Sequence, residues 1–203
     1  MTAQSESQRR TLAAYQAGAQ RYLDGLRRSP EAEQQLDCFR RRLEPGAHVL
    51  ELGSGPGRDA DYLESAGLRV QRSDVTPAFV DRLRALGHSV RQLDLLTGEL
   101  GGPWDGIWAN AVLLHLSEQE LYQACSRMFE ATRPGAILGF TVKEGDGENF
   151  DNVRIGAPRF FHYWRAEPLR ELVSRCGWSV LEVRARAGVE DWLLVLARRA
   201  ECP

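Results

Sequence analysis

The chain has 203 residues, enough for one domain with a sizeable hydrophobic core. Its 26 basic and 28 acidic side chains give a net charge of -2, which argues against binding of nucleic acid mainly through bulk positive charge. No apolar run approaches the roughly 20 residues of a membrane span, and residues 1–10 lack the apolar core of a signal peptide. Four separated cysteines without a Cys-x-x-Cys pair argue against a metal ribbon or a disulfide framework, so we expect a cytoplasmic protein.

The first part of the chain, residues 1–45, is polar and helical in pattern, which predicts an N-terminal helical cap. Ser29 followed by Pro30 is typical of a helix start, because serine caps the first turn and proline fits within it. The second of two helices is therefore expected to run from this point to about residue 42.

From residue 48 onward, strands alternate with helices. The predicted strands cover residues 48–52, 68–74, 88–93, 104–109, 136–142, 178–184 and 191–197. The predicted helices cover residues 58–66, 77–87, 118–133 and 167–176. Such alternation predicts an α/β fold with a mostly parallel sheet and helices on both faces, and a turn at Ala187 and Gly188 predicts that the last two strands pair antiparallel. Ligands of such sheets bind beyond the carboxyl ends of the strands.

A glycine-rich loop, residues 53–57, follows the first strand of the sheet. Its glycines permit a tight turn and let a ligand approach main-chain N–H groups, although a plain strand-to-helix turn also favours glycine. In a dinucleotide-binding loop the third glycine would come one residue later. Glu51, at the end of the strand, suits a ligand with a positive charge better than a pyrophosphate.

Two further acids end the next two strands. Asp74 lies about 20 residues after the loop, the spacing at which a carboxylate accepts hydrogen bonds from ribose hydroxyls. Asp94 can accept from an adenine amino group while Leu95 packs on the ring. The structural alternative for both acids is that they cap the turns that follow them.

These motifs resemble those of the class I S-adenosylmethionine-dependent methyltransferases, over roughly residues 49–203. The matching segments are Val-Leu-Glu-Leu-Gly-Ser-Gly-Pro-Gly at 49–57, Asp74, Gln-Leu-Asp-Leu at 92–95, Trp-Asp-Gly-Ile-Trp-Ala-Asn at 104–110 and Arg-Pro-Gly-Ala at 133–136. Tyr15, Ala19 and Tyr22 resemble an N-terminal pattern of many members, although Gln16 stands in place of the usual acid.

The resemblance implies a Rossmann-like seven-stranded sheet with the last strand inserted antiparallel. It also implies that residues 46–203 form an S-adenosylmethionine-binding methyltransferase domain. The glycine loop and Glu51 would hold the methionine end of the cofactor, Asp74 the ribose, and Asp94 the adenine. The full set of implied cofactor-binding residues is Tyr22, Glu51, Gly53, Ser54, Gly55, Gly57, Asp74, Val75, Asp94, Leu95, Ala109 and Asn110.

The acceptor site is expected beside His115, which follows the fourth strand and is the candidate general base. Its alternative role is that of a packed histidine ahead of a helix cap. The long stretch 144–165 is predicted to be irregular and to form a lid, because long loops in compact domains are usually functional. The candidate substrate-binding residues are Tyr15, Lys143, Arg159, His162 and Tyr163. Lys143 and Arg159 suit an anionic acceptor, but ion pairs with nearby acids explain them equally well.

The sequence therefore predicts in-line transfer of a methyl group to a small-molecule acceptor. Asn110-Ala111-Val112-Leu113 lacks the Pro-Pro pair typical of nucleobase amino-methylation, and no His, Cys or Asp cluster has metal-ligand spacing. A nicotinamide-dependent oxidoreductase and a non-catalytic cofactor-binding protein remain alternatives, with an RNA-modifying enzyme a smaller possibility. The sequence does not distinguish a monomer from a homodimer.

Overall fold

A computed structural model describes residues 5–25, 30–151, 155–186, 188 and 190–200. The helices in these ranges are α1 (Glu6–Gly25), α2 (Pro30–Arg40), α3 (Arg58–Ser65), α4 (Pro77–Ala85), α5 (Glu118–Glu130) and α6 (Ala166–Arg175). The strands are β1 (His48–Leu52), β2 (Arg69–Asp74), β3 (Val90–Gln92), β4 (Trp104–Asn110), β5 (Thr132–Lys143), β6 (Glu148–Asp151), β7 (Arg159–His162), β8 (Trp178–Arg186) and β9 (Trp192–Arg199). The predicted cap residue Ser29, the turn residue Ala187 and positions 152–154 of the predicted lid lie outside the described residues.

Seven strands form one sheet in the order β3-β2-β1-β4-β5-β9-β8. Strands β1 to β5 pair in parallel, whereas β9 is antiparallel to both β5 and β8. This topology confirms the predicted Rossmann-like sheet with an inserted antiparallel last strand. It brings the carboxyl ends of β1, β2 and β4 to one edge of the sheet.

Helices cover both faces of the sheet, so its central strands are buried on both sides. In β4, Ile107 packs with the cluster that contains α5 and α6, while Trp108 packs with α2 and α3 on the opposite face. The ring of Phe39 from α2 lies 5.1 Å from that of Trp108. A Cβ at Gly139 would lie 2.6 Å from the Phe39 ring, so glycine is required for α2 to lie this close to the sheet.

Two predicted helix starts have the expected geometry. Ser117 and Glu120 form a reciprocal capping box at the start of α5. Thr76 is the N-cap of α4, with a proline in the first turn. None of the described helices is both long and apolar enough to cross a membrane.

The predicted irregular structure of residues 144–165 was wrong. Strands β6 and β7 form an antiparallel pair within this stretch. Helix α1 holds the pair, because the N–H of Phe160 donates to the hydroxyl of Thr11 at 2.9 Å. The pattern was missed because β6 is largely exposed and therefore lacks the apolar alternation of a half-buried strand.

Candidate active site

Three adjoining cavities lie at the carboxyl edge of the sheet, beneath α1. The main cleft runs past Tyr22, Gly55, Asp74 and Asn110. The loop recess lies behind the glycine loop and is lined by Glu51, Ser54 and Asp59. The hairpin cavity lies against β7 and is lined by Tyr15, His115, Lys143, Phe161, Asp151, Arg159, Glu190 and Trp192. Most of the residues proposed from the sequence therefore converge on one connected region.

Three glycines of the loop adopt positive φ, but they have different surroundings. A Cβ at Gly53 would lie 2.4 Å from Val112, and one at Gly57 would lie 2.8 Å from Leu83. At Gly55 the nearest atom would be a ring carbon of Tyr22 at 3.9 Å, so the backbone there is open to the cleft. Gly57 lines none of the three cavities. It instead allows the start of α3 to pack closely against Leu83 of α4.

The loop recess contains a buried carboxyl group. The hydroxyl of Ser54 donates a short hydrogen bond to Glu51, which is only 3% exposed. Burial, reinforced by the negative charge of Asp59, raises the pKa of Glu51 to about 8. A cation entering the recess would offset both effects, so the recess favours a positively charged ligand group.

Asp74 both caps the turn that follows β2 and lines the main cleft, the two roles considered from the sequence. Its carboxylate accepts from the N–H of Gly55 at 2.9 Å and from the N–H of Thr76 at 2.8 Å, and it also lines the main cleft. Burial raises the pKa of Asp74. Asp94 similarly accepts from the N–H of Leu96 at 2.8 Å while lining the cleft. Both acids cap a turn and face the cleft.

The chain leaves β4 through a strained residue. Ala111 has φ of 57°, a conformation that residues with a Cβ rarely adopt, and its N–H donates to the hydroxyl of Thr141 at 2.9 Å. Asn110 is held by the same hydroxyl at 2.7 Å and by Asp59 at 2.9 Å. Ala109, proposed from the resemblance to bind cofactor, is fully buried in the core and lines none of the cavities.

Asp59, Ala111 and Thr141 lie at the site but carry no local sequence signal that predicts this. Asp59 sits in the first turn of α3, and alanine is not a residue that signals a turn. Their functional positions depend on contacts between distant strands, which no local pattern indicates.

His115 is held on both sides of its ring. Its Nδ1 lies 2.5 Å from the carbonyl oxygen of Phe160, and its Nε2 lies 2.8 Å from the hydroxyl of Tyr15. A carbonyl only accepts, so Nδ1 carries the proton and Nε2 accepts from Tyr15. Burial lowers the pKa of His115 to about 3; the bond to Phe160 opposes this shift, and the charges of Arg159 and Lys143 add to it. The ring is therefore neutral at pH 7.

The candidate substrate-binding residues divide into two groups. Tyr15, Lys143 and Arg159 line the hairpin cavity. His162 and Tyr163 line none of the three cavities; the His162 ring stacks against Trp164, with ring centroids 4.4 Å apart. Among the described residues, no group of three His, Cys, Asp or Glu side chains is arranged to hold a metal ion.

The chain resembles known methyltransferases in both sequence and fold. Residues 49–135 match the family model described as Methyltransferase domain. A protein-L-isoaspartate O-methyltransferase of Chlorobium limicola is 29% identical in an alignment of 148 positions that covers 68% of this chain and 64% of that protein. The match therefore spans less than two thirds of that relative's length.

Two solved structures resemble the whole chain. The 1,6-didemethyltoxoflavin-N1-methyltransferase of Burkholderia thailandensis has a TM-score of 0.77 at 19% identity, covering 99% of this chain and 94% of that one. The magnesium protoporphyrin IX methyltransferase of Synechocystis has a TM-score of 0.74 at 17% identity, covering 98% of this chain and 100% of that one. The methyltransferase-domain match over residues 49–135 and the shared sheet topology together support a class I S-adenosylmethionine-dependent methyltransferase.

Proposed function

We propose that the protein transfers a methyl group from S-adenosylmethionine to a small-molecule acceptor. The observation that carries this proposal is the position of Gly55, which lines both the main cleft and the loop recess. It thereby joins the carboxylate of Asp74 in the cleft to the buried carboxyl of Glu51 in the recess. The two solved relatives support the choice of cofactor, since one was crystallised with S-adenosylhomocysteine and the other with S-adenosylmethionine.

The residues fit such a cofactor in charge and shape. Glu51, with its pKa raised to about 8, suits the ammonium group at the methionine end. Gly55 places no Cβ in the cleft, so a ligand can approach its backbone closely. The carboxylate of Asp74 lines the main cleft, where it can accept hydrogen bonds from the hydroxyls of a ligand. Asp94 and Leu95 also line the main cleft, and the adenine would lie against them.

When bound, S-adenosylmethionine supplies a methyl group on a sulfonium, which is already a strong electrophile. The protein mainly has to hold the acceptor in line and exclude water. The hairpin cavity is suited to this role because it shares Tyr15, Ala111 and His115 with the main cleft. The predicted lid, residues 144–165, would contribute the outer wall of this cavity through β7.

His115 and Tyr15 act as a pair in this proposal. The lone pair of Nε2 accepts from the Tyr15 hydroxyl, whose oxygen can in turn accept a hydrogen bond from an acceptor hydroxyl or amine. A histidine with pKa of about 3 is a weak base. The pair therefore serves mainly to orient the acceptor.

Ligand-induced stabilisation tests the proposal. S-adenosylmethionine and S-adenosylhomocysteine should each raise the melting temperature, and Asp74→Ala should remove most of the shift. Asp81→Ala, on a side chain that is 76% exposed, is the matched control and should keep the shift. No shift with either ligand at millimolar concentration would reject the proposal.

Two further results would favour the alternatives. A shift with NAD and none with S-adenosylmethionine would indicate an oxidoreductase. Tight cofactor binding without methyl transfer in a broad acceptor screen would indicate a binding protein.

We also propose a cytoplasmic location, because the three described cysteines, Cys38, Cys125 and Cys176, are free.

A further inference from the structure

Arg159 is a buried cation that forms no ion pair with any acid of the described residues. Its side chain lines the hairpin cavity and is only 4% exposed. Its terminal nitrogen donates to the hydroxyl of Tyr15 at 3.1 Å, but its Nε has no hydrogen-bond partner. In the described ranges no acid forms an ion pair with it, although Asp151 is its register partner on β6. A buried charge in this state is costly unless a ligand completes its pairing.

Lys143, the second described cation of the cavity, does have a carboxylate partner. Lys143 lies 2.6 Å from Glu190, so its charge is already compensated within the protein. Arg159 has aromatic faces instead, with its guanidinium 4.9 Å from the ring centre of Phe161 and 5.4 Å from that of Tyr15. Cation–π contacts compensate only part of the cost of burying a charge. Of the two described cations that line the cavity, Arg159 is therefore the one without an ion-pair partner.

The size and walls of the cavity narrow the class of ligand. Its volume is about 180 Å³. A cavity of about 150 Å³ is known to hold a benzene molecule, so this one has room for a single substituted ring. Phe161 and Trp192 supply apolar walls. A guanidinium binds a planar carboxylate through two parallel hydrogen bonds.

We propose that the methyl acceptor is a single-ring aromatic carboxylate whose carboxylate group binds Arg159. Its ring packs between the aromatic walls, and its hydroxyl or amino substituent faces the main cleft past Tyr15 and His115. This inference rests on the proposed methyl transfer and assigns the substrate class of that same site. Arg159 is the residue that distinguishes a carboxylate from the neutral ester or amide of the same ring.

Calorimetric titration tests the proposal with defined probes. The protein, saturated with S-adenosylhomocysteine, is titrated with 2-, 3- and 4-hydroxybenzoate and with the methyl ester of each. We expect at least one hydroxybenzoate to bind, with an affinity at least about tenfold above that of its ester. Arg159→Met should lose at least about tenfold in affinity for that hydroxybenzoate, and Arg159→Lys should lose less. Arg170→Met, a partly exposed arginine of α6, should bind as the wild type does.

The outcomes separate this inference from the proposed function. If S-adenosylhomocysteine binds but no hydroxybenzoate binds below 1 mM, or if ester and acid bind equally, the carboxylate proposal is wrong and the methyltransferase proposal stands. Failure of S-adenosylhomocysteine to bind counts against the proposed function alone, since the same titrations run without it still test the cavity. The acid–ester comparison uses wild-type protein, so it decides the question even if Arg159→Met does not fold.

Discussion

The phenol of Tyr15 and the imidazole of His115, 100 positions apart in the chain, are joined by a hydrogen bond of 2.8 Å. The bond connects α1 to the turn that follows β4, across the boundary between the main cleft and the hairpin cavity. The opposite side of the imidazole is fixed by the carbonyl of Phe160 on β7. Three distant segments thus meet at one ring, which couples the position of α1 to the proposed acceptor site.

This arrangement predicts the tautomer of His115. Nitrogen-15 NMR should show a protonated Nδ1 and an unprotonated Nε2 at pH 7, with the resonance assigned by its loss in His115→Gln. Tyr15→Phe should keep that tautomer, because Phe160 still accepts from Nδ1, and should lower the unfolding free energy by about 1 kcal/mol. Tyr122→Phe, on a side chain that is 40% exposed, is the matched control. A protonated Nε2 in the wild type would contradict the assigned direction of the Tyr15 bond.

Acid should destabilise the protein through His115. The folded-state pKa of His115, about 3, lies below its model value of 6.5, so the unfolded chain takes up a proton that the folded protein does not. The stability contribution is therefore fully present above pH 6.5 and is lost as the pH falls toward 3. Between pH 6.5 and 5 this loss amounts to about 2 kcal/mol.

Urea unfolding of wild type and His115→Gln at these two pH values measures that contribution. The variant should show a smaller loss of stability between pH 6.5 and 5. His48→Gln, which changes an exposed histidine at the start of β1, should behave as the wild type does. Equal losses in the wild type and in His115→Gln would show that this histidine titrates normally in the folded protein.

Glu51 should lower the stability of the folded protein as the pH rises, which is the opposite pH dependence to that of His115. Its folded-state pKa of about 8 exceeds the model value of 4.5, so its contribution to stability is fully present below pH 4.5 and is lost as the pH rises toward 8. Glu51→Gln retains the neutral form at every pH. We expect the unfolding free energy of the variant to rise relative to wild type between pH 5 and 8, as measured by urea denaturation.

The same group should release a proton when the ammonium group of a ligand enters the loop recess. Calorimetry of S-adenosylhomocysteine binding at pH 7, in buffers of different ionisation enthalpy, should reveal proton release in the wild type and none in Glu51→Gln. Glu118→Gln, which changes an exposed acid in the first turn of α5, should release protons as the wild type does. Ligand binding without any buffer dependence would show that Glu51 is already ionised, or that it does not meet the cation.

The sheet was predictable because its signals are local. The capping box at Ser117, the proline that follows Thr76, and the glycines between strands and helices mark element boundaries without reference to the rest of the fold. The convergence of Glu51 and Asp74 on adjoining cavities was predictable for a related reason. Parallel strands end at the same edge of a sheet, so residues that directly follow them must lie near one another.

The acceptor side was only partly predictable because it depends on long-range contacts. Tyr15 and Arg159 are 144 positions apart, and no spacing in the sequence indicates their hydrogen bond. The pairing of β6 with β7 depends on support from α1, so the exposed strand carries no apolar alternation of its own. The conformation of Ala111 is likewise hidden, since the hydroxyl that accepts from its N–H belongs to Thr141 on a neighbouring strand.

The glycine loop provides a last prediction, in which two similar substitutions should have different effects. Gly55 and Gly57 both have positive φ, so Gly→Ala carries a backbone strain of about 1 kcal/mol at either position. At Gly57 the added methyl would also meet Leu83 at 2.8 Å, whereas at Gly55 it would point toward the ring of Tyr22 at 3.9 Å. Gly57→Ala should therefore lower the melting temperature more than Gly55→Ala does. Gly55→Ala should in turn weaken S-adenosylhomocysteine binding more, because its methyl occupies the cleft. Calorimetry and thermal denaturation of the two variants side by side measure both effects, and equal losses of affinity would show that Gly57 also serves the cofactor.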